Sequence, residues 1–154
     1  MPLNIVLVEP EIAANAGNIA RTCACTGTQL HLIQPLGFST HDPKFKRAGV
    51  DYWQMAKVHY YNSFDEFHAV KPGIRLIFTT VQGKINYRKI RYKKGDYIVF
   101  GKESHGLSEY ILDNYAGFHV RIPMLAHARS LNLSNAVALV LYEALGQLNF
   151  PGLT

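Results

Sequence analysis

Short apolar runs alternate with longer amphipathic stretches along this chain. Residues 3–8 are apolar except for Asn4 and read as a buried strand, and a helical spacing follows over 15–26. Residues 30–33 give a second strand, closed by Gln34-Pro35. Residues 39–56 mix polar, aromatic and charged types without a clear period and predict no element, whereas 58–61 predict a strand. Ser63-Phe-Asp-Glu66 has the spacing of a capping box, in which serine and glutamate satisfy the free N–H groups that open a helix. That helix runs to residue 70 and is stopped by Pro72-Gly73. β-Branched and aromatic runs at 75–80 and 97–100 predict strands. Residues 108–115 predict a helix, 118–122 a strand ended by Pro123, and 132–148 the longest helix. Strands alternating with helices predict an α/β fold, a mainly parallel sheet flanked by helices, in one domain over 1–154.

In such sheets ligands bind beyond the carboxyl ends of the strands. Three polar stretches interrupt the apolar pattern there: Asn15-Ala-Gly-Asn18 followed by Arg21, Phe100-Gly-Lys-Glu-Ser-His-Gly-Leu107, and Arg129-Ser-Leu-Asn-Leu-Ser-Asn135. Each has a plain structural alternative. Asn15, Ser130 or Asn132 would serve as helix caps, and Gly101 and Gly106 as turn residues. Cys23 and Cys25 suit helix packing, and His31, His59 and His119 suit strand or surface positions. Three such stretches in one small chain are harder to dismiss than any one of them.

Composition narrows the class. The 154 residues are 48% hydrophobic and 18% charged, which excludes a disordered or fibrous chain. No apolar run approaches the roughly 18 residues of a membrane span. The start, Met1-Pro2-Leu3-Asn4-Ile5, lacks the basic and apolar regions of a signal peptide. Two cysteines are too few for a disulfide framework or a four-ligand zinc site, and the seven histidines show no metal spacing. The expectation is a cytoplasmic, reduced protein with neither membrane nor metal as partner.

Charge adds a possible partner. Lys plus Arg number 16 against 11 Asp plus Glu. Residues 84–94 hold six of the bases (Lys84, Arg88, Lys89, Arg91, Lys93, Lys94) and no acid, so the whole positive excess lies there. Interleaved Tyr87 and Tyr92 suit a polyanion whose bases stack; a solvated loop is the alternative. A smaller cluster comprises Lys44, Lys46 and Arg47. Nucleotide signatures are missing: there is no G-x-G-x-x-G and no G-x-x-x-x-G-K-[ST]. Gly101-Lys-Glu-Ser-His-Gly106 has one residue too many before its serine for a nucleophile elbow, which argues against a serine hydrolase.

Taken together, Asn15-x-Gly-Asn18-x-x-Arg21, Phe100-Gly-x-Glu103-x-x-Gly106-Leu107 and Ser130-Leu-Asn132-Leu-Ser-Asn135-Ala resemble the three motifs of the SPOUT superfamily of RNA 2′-O-ribose methyltransferases. The opening Asn4-Ile-Val-Leu-Val-Glu-Pro-Glu-Ile12, Arg47-Ala-Gly-Val-Asp-Tyr52 and Tyr142-Glu-Ala144 look like the TrmL (YibK-like) branch, whose members methylate the tRNA wobble nucleotide. Ala13, Ala16 and Ser104 are small departures from that pattern, and the family assigns no role to the basic segment. The resemblance covers nearly the whole chain. It implies an α/β fold with a C-terminal trefoil knot, which periodicity cannot reveal. It also implies a homodimer, S-adenosyl-L-methionine as cofactor, and tRNA, particularly leucine tRNAs, as substrate. Independently, the uncharged run 136–141 is apolar on more than one face of its helix, which fits either a buried helix or a dimer interface.

By matching positions, the implied cofactor loops are 79–83, 100–106 and 122–131, with Thr79, Gly101, Ile122, Ser130 and Leu131 as binding residues. The implied catalytic residues are Arg21, Asn15, Glu103 and Asn132. A methyl group passing from a sulfonium to a ribose oxygen needs alignment and loss of the hydroxyl proton, and no metal. Arg21, expected at a helix start, would bind a phosphate and stabilise the developing alkoxide; guanidinium groups stay protonated and make poor bases. Asn15, Glu103, Asn132 and the Ser130 hydroxyl would orient Arg21 or the ribose. Arg21, Lys89, Arg91 and Lys93 are the expected RNA contacts. Two other classes stay open: a 2′-O-methyltransferase of another RNA such as rRNA, and a non-catalytic RNA-binding module of the same fold.

Overall fold

The computed structural model describes residues 1–49 and 55–154. The chain runs β1 (Asn4–Val8), α1 (Ala13–Thr26), β2 (Gln29–Ile33), α2 (Pro43–Gly49), β3 (Val58–Tyr61), α3 (Phe64–Val70), β4 (Leu76–Thr79), β5 (Ile85–Asn86), β6 (Tyr97–Phe100), α4 (Glu109–Asn114), β7 (Phe118–Arg121) and α5 (Leu133–Gln147). The strands form one parallel sheet ordered β3-β2-β1-β6-β4-β7-β5. The expected α/β layering is therefore present.

Period-two side-chain alternation explains the continuous apolar runs. Along β1, Ile5 and Leu7 join a core with Ile19, Ala20 and Cys23 of α1 and Val137, Val140 and Leu141 of α5. Val6 and Val8 face the other way, onto Phe64 and Phe67 of α3 and Ile111 and Leu112 of α4. Both faces of the central strands are thus covered. Caps set several helix ends. Ser63 Oγ accepts from Glu66 N–H at 3.0 Å, while the Glu66 carboxylate accepts from Asn62 N–H at 2.6 Å, one residue before the cap. Ser108 opens α4 by accepting from Ile111 N–H.

Four expectations change. The helix expected over 15–26 begins two residues earlier, at Ala13, so Asn15 is not its cap; the cap residue Ile12 has no side-chain cap bond, and Arg21 lies on an exposed face in mid-helix rather than at a helix start. Residues 43–49 form α2, because Phe45 buries fully against Ala13 and Ala16, a tertiary contact with no local period. The basic segment contributes β5, a two-residue edge strand. Tyr92 is buried and Tyr87 half-buried within the main core, so neither offers a stacking face to RNA bases; the Tyr92 hydroxyl donates to Tyr87 O. Val50, Asp51 and Tyr52 of the stretch Arg47–Tyr52 lie outside the described residues. Among the described residues, no helix is long and apolar enough to cross a membrane.

Candidate active site

The carboxyl ends of β4, β6 and β7 open into a cavity of about 520 Å³. Residues 79–82, 100–107 and 121–131 supply most of its wall, and Leu133 and Ala136 at the start of α5 close it. All five expected binding residues, Thr79, Gly101, Ile122, Ser130 and Leu131, line this one space. Thr79 Oγ1 is buried and has no hydrogen-bond partner among the described residues. A buried hydroxyl without a partner is uncommon and marks a place where a ligand polar atom fits.

The loop after β6 doubles back on itself. Gly106 N–H donates to Lys102 O at 2.8 Å, and Gly106 takes φ +68°, a backbone region that glycine enters without strain. A Cβ on Gly101 would sit 2.0 Å from the Gly106 carbonyl carbon, so the two backbone strands meet only because Gly101 has no side chain. Glu103 then reaches across to the start of α1. Its carboxylate accepts from Glu11 N–H at 3.1 Å and Ile12 N–H at 2.5 Å. This placement bonds Glu103 to the helix amino terminus, whose free N–H groups and dipole favour an anion. Glu11 returns the contact by accepting from Ser104 N–H at 2.8 Å. Hydrogen bonds from Ser104 hold the Glu11 carboxyl below the ordinary carboxylate range.

Asn132 does two things. Its Oδ1 accepts from Ser134 N–H and Asn135 N–H, capping α5, and its Nδ2 donates to Asn15 Oδ1 at 3.1 Å. Asn15 is buried inside α1 and ties that helix to α5. Of the four expected catalytic residues, Asn15 and Asn132 thus form a bonded pair outside the lining set, and Glu103 alone lines the cavity. Arg21 is exposed on α1 outside the lining set.

Ser104 and His105 lie within the implied cofactor loop 100–106, but sequence reasoning gave neither a role of its own beyond the failed nucleophile elbow. Both line the cavity, with His105 Nδ1 and Ser104 Oγ 2.7 Å apart. Lys102, Arg121 and Arg129 also line it, giving a basic wall; Arg121 is anchored by a bond to Val81 O. The only sequence signal for Lys102 and Arg129 was position within loops already marked for the cofactor, and Arg121 ends the predicted strand just before one of them. Lys89, Arg91 and Lys93 lie outside the cavity, exposed on the segment that follows β5. Among the described residues no three His, Cys, Asp or Glu side chains are grouped to hold a metal ion.

Comparison with known proteins adds to this geometry. The SpoU rRNA Methylase family matches residues 2–142. The chain is 50% identical to the tRNA (cytidine(34)-2′-O)-methyltransferase of Photorhabdus asymbiotica, over 97% of this chain and 96% of that one. It is 46% identical to the Escherichia coli K12 protein of the same name, with the same coverages. A solved structure described as giving insights into the 2-OH methylation of C/U34 on tRNA superposes with TM-score 0.91 at 44% identity, covering 96% of each chain. An AdoMet-bound rRNA methyltransferase from Sinorhizobium meliloti superposes with TM-score 0.85 at 26% identity, over 96% of this chain and 57% of that one.

Proposed function

The chain belongs to the SpoU rRNA Methylase family, and from that premise we propose that it is a tRNA (cytidine/uridine-2′-O-)-methyltransferase acting on the wobble nucleotide. The observation that carries this reading is the convergence of the three implied cofactor loops, around residues 79–83, 100–106 and 122–131, on one cavity of about 520 Å³, within the range of cofactor sites. S-adenosyl-L-methionine fits that space. Thr79 Oγ1 lacks a partner there, Leu131, Ile122 and Leu133 supply apolar wall, and the Gly101–Gly106 crossing brings backbone groups close.

Bound cofactor would supply a methyl group on a sulfonium, so the chain need provide only alignment and charge. Thr79, Gly101, Ile122, Ser130 and Leu131 would hold it by backbone groups and packing. Glu103, tied to the start of α1, and the Asn132–Asn15 pair fix the two helices against the loops, which keeps the reacting atoms in line. Arg21 would stabilise charge on the ribose oxygen or an adjacent phosphate. Lys89, Arg91 and Lys93 would contact RNA phosphates.

Three finer points belong to the same proposal. The family resemblance supports a C-terminal trefoil knot and, among tRNAs, leucine tRNAs as the substrate in the cytoplasm. A homodimer is supported by the outer face of α5, where the apolar Leu139 and Tyr142 are 44% and 48% exposed, and by Phe150 beyond it, 43% exposed. Val140, on the neighbouring face, is fully buried in the core, so Val140→Asp would unfold the chain and say nothing about assembly. Leu139→Asp tests assembly instead: sedimentation should show wild-type dimer and variant monomer, and a wild-type monomer at micromolar concentration removes the dimer.

The function is tested with methyl-labelled S-adenosyl-L-methionine and total RNA, followed by mapping of the labelled nucleotide. Label on the 2′-oxygen of the tRNA wobble nucleotide is expected. Label confined to rRNA, or none, would overturn the reading.

A further inference from the structure

We infer that residues 84–94 form a directional cation track that carries the stem of a bound RNA hairpin away from the cavity. This deepens the tRNA reading and rests on it. The direction comes from the topology. All strands are parallel, so the cavity lies at their carboxyl ends and β5, beside β7, starts the segment at that end. Tyr87 N–H donates to Arg121 O, fixing the near end against a cavity-lining residue. The backbone then descends along the last turns of α5: Gln147 Nε2 donates to Ile90 O and its Oε1 accepts from Tyr92 N–H. At the far end Arg75 Nη2 donates to Arg91 O, and Lys93 N–H donates to the Asp96 carboxylate. Asp96 O in turn accepts from Asn4 N–H at the amino edge of the sheet. The segment therefore spans the height of a strand, about 13 Å for four residues at roughly 3.3 Å each.

Its side chains are sorted. Tyr87, Ile90 and Tyr92 turn inward to the core, while Lys84, Arg88, Lys89, Arg91, Lys93 and Lys94 are exposed. Asp96 is buried and engaged, and the Glu143 carboxylate pairs with Arg88 at 3.4 Å. That leaves five exposed cations along a fixed path. Since the apolar residues point inward, the track has nothing to insert into a lipid surface, and it suits a row of phosphates held at fixed spacing. With the target nucleotide at the cavity, near cations meet loop phosphates and far cations meet the stem.

The test compares a hairpin carrying the target nucleotide in its loop with the single-stranded loop alone. Methyl transfer and filter binding are measured for wild type, a near reversal (Lys84→Glu with Lys89→Glu), a far reversal (Lys93→Glu with Lys94→Glu), and a charge-matched reversal beside the opposite edge strand β3 (Lys57→Glu with Lys71→Glu). The far reversal should lower the preference for hairpin over loop about tenfold, the scale of two lost phosphate contacts. The near reversal should weaken both RNAs and keep the preference. A far reversal that leaves the preference unchanged, or changes it no more than the β3 control, overturns the track. Binding preferences that behave as expected without any methyl transfer by wild type keep the track and overturn the enzymatic reading instead.

Discussion

Toward the amino-terminal end of the strands, buried polar groups satisfy one another inside the chain. His31 bonds through Nδ1 to the Tyr61 hydroxyl and through Nε2 to Asn4 Oδ1, and Asn4 Nδ2 donates to Asp96 O. The Asp96 carboxylate accepts from Arg75 Nη1 at 2.6 Å and from Lys93 N–H at 2.8 Å. At the carboxyl end, bonds such as Glu103 to Ile12 and Asn132 to Asn15 join loops and helix ends around a cavity, and Thr79 Oγ1 is left over. The same residue types therefore serve two purposes. Where the network closes within the chain it fixes the scaffold, and where it stays open it presents a surface to a ligand. Variants at the carboxyl end should change activity more than stability, and variants at the amino end the reverse.

The largest effect should come from Arg21→Ala. Methyl transfer is expected to fall about 100-fold or more, with cofactor affinity by calorimetry and melting temperature nearly unchanged. Near-normal single-turnover transfer would remove Arg21 from the reaction and leave the cavity end without its charge stabiliser. Asp96→Ala probes the other side. It leaves Arg75 Nη1 and Lys93 N–H without their acceptor, and should cost about 3 kcal/mol in denaturant unfolding. Cofactor affinity should stay at the wild-type value; a parallel loss would mean that the two ends are coupled.

Acid should act first at the amino end. Burial, with His59 and Lys71 nearby, pushes His31 down to about 3 from its ordinary value near 6.5. The folded chain therefore holds His31 neutral where the unfolded chain binds a proton. Stability from this residue is complete above about pH 6.5 and falls as pH drops toward 3, by at most roughly 1.4 kcal/mol per pH unit. His31→Gln should flatten that part of the curve; an unchanged acid limb would show that other groups set it.

The amino end was the more legible of the two in the sequence. The runs through Ile5–Val8 and Ile98–Phe100 are apolar at every position because both faces of those strands are covered, and such runs carry their own signal. The helix over 15–26 was legible from its spacing but its start was not: Asn15 reads as a cap, yet α1 begins at Ala13 and buries Asn15, Ala16 and Gly17 within the helix. α2 was illegible because it depends on Phe45 meeting Ala13 and Ala16. The cofactor loops were legible only through resemblance, since no local pattern brings Thr79, Gly101 and Ser130 together. The partner of Glu103 lies 91 residues away at Ile12, and no spacing rule reaches that far.

The smallest expected effect bears most directly on the contrast between open and closed networks. Thr79→Val keeps the shape of the side chain and removes the one buried side-chain oxygen without a partner among the described residues. If Thr79 Oγ1 awaits a ligand atom, the unliganded protein should gain stability on losing it, by up to about 1 kcal/mol, because an unsatisfied buried hydroxyl is unfavourable. S-adenosyl-L-methionine should then bind about threefold to tenfold more weakly, the scale of one neutral hydrogen bond. The two changes have opposite signs, which separates a ligand-facing hydroxyl from a structural one. Calorimetric titration together with melting of the unliganded protein reads both. Loss of stability with unchanged affinity would place Thr79 among the closed networks and leave the cavity wall without its one open hydroxyl.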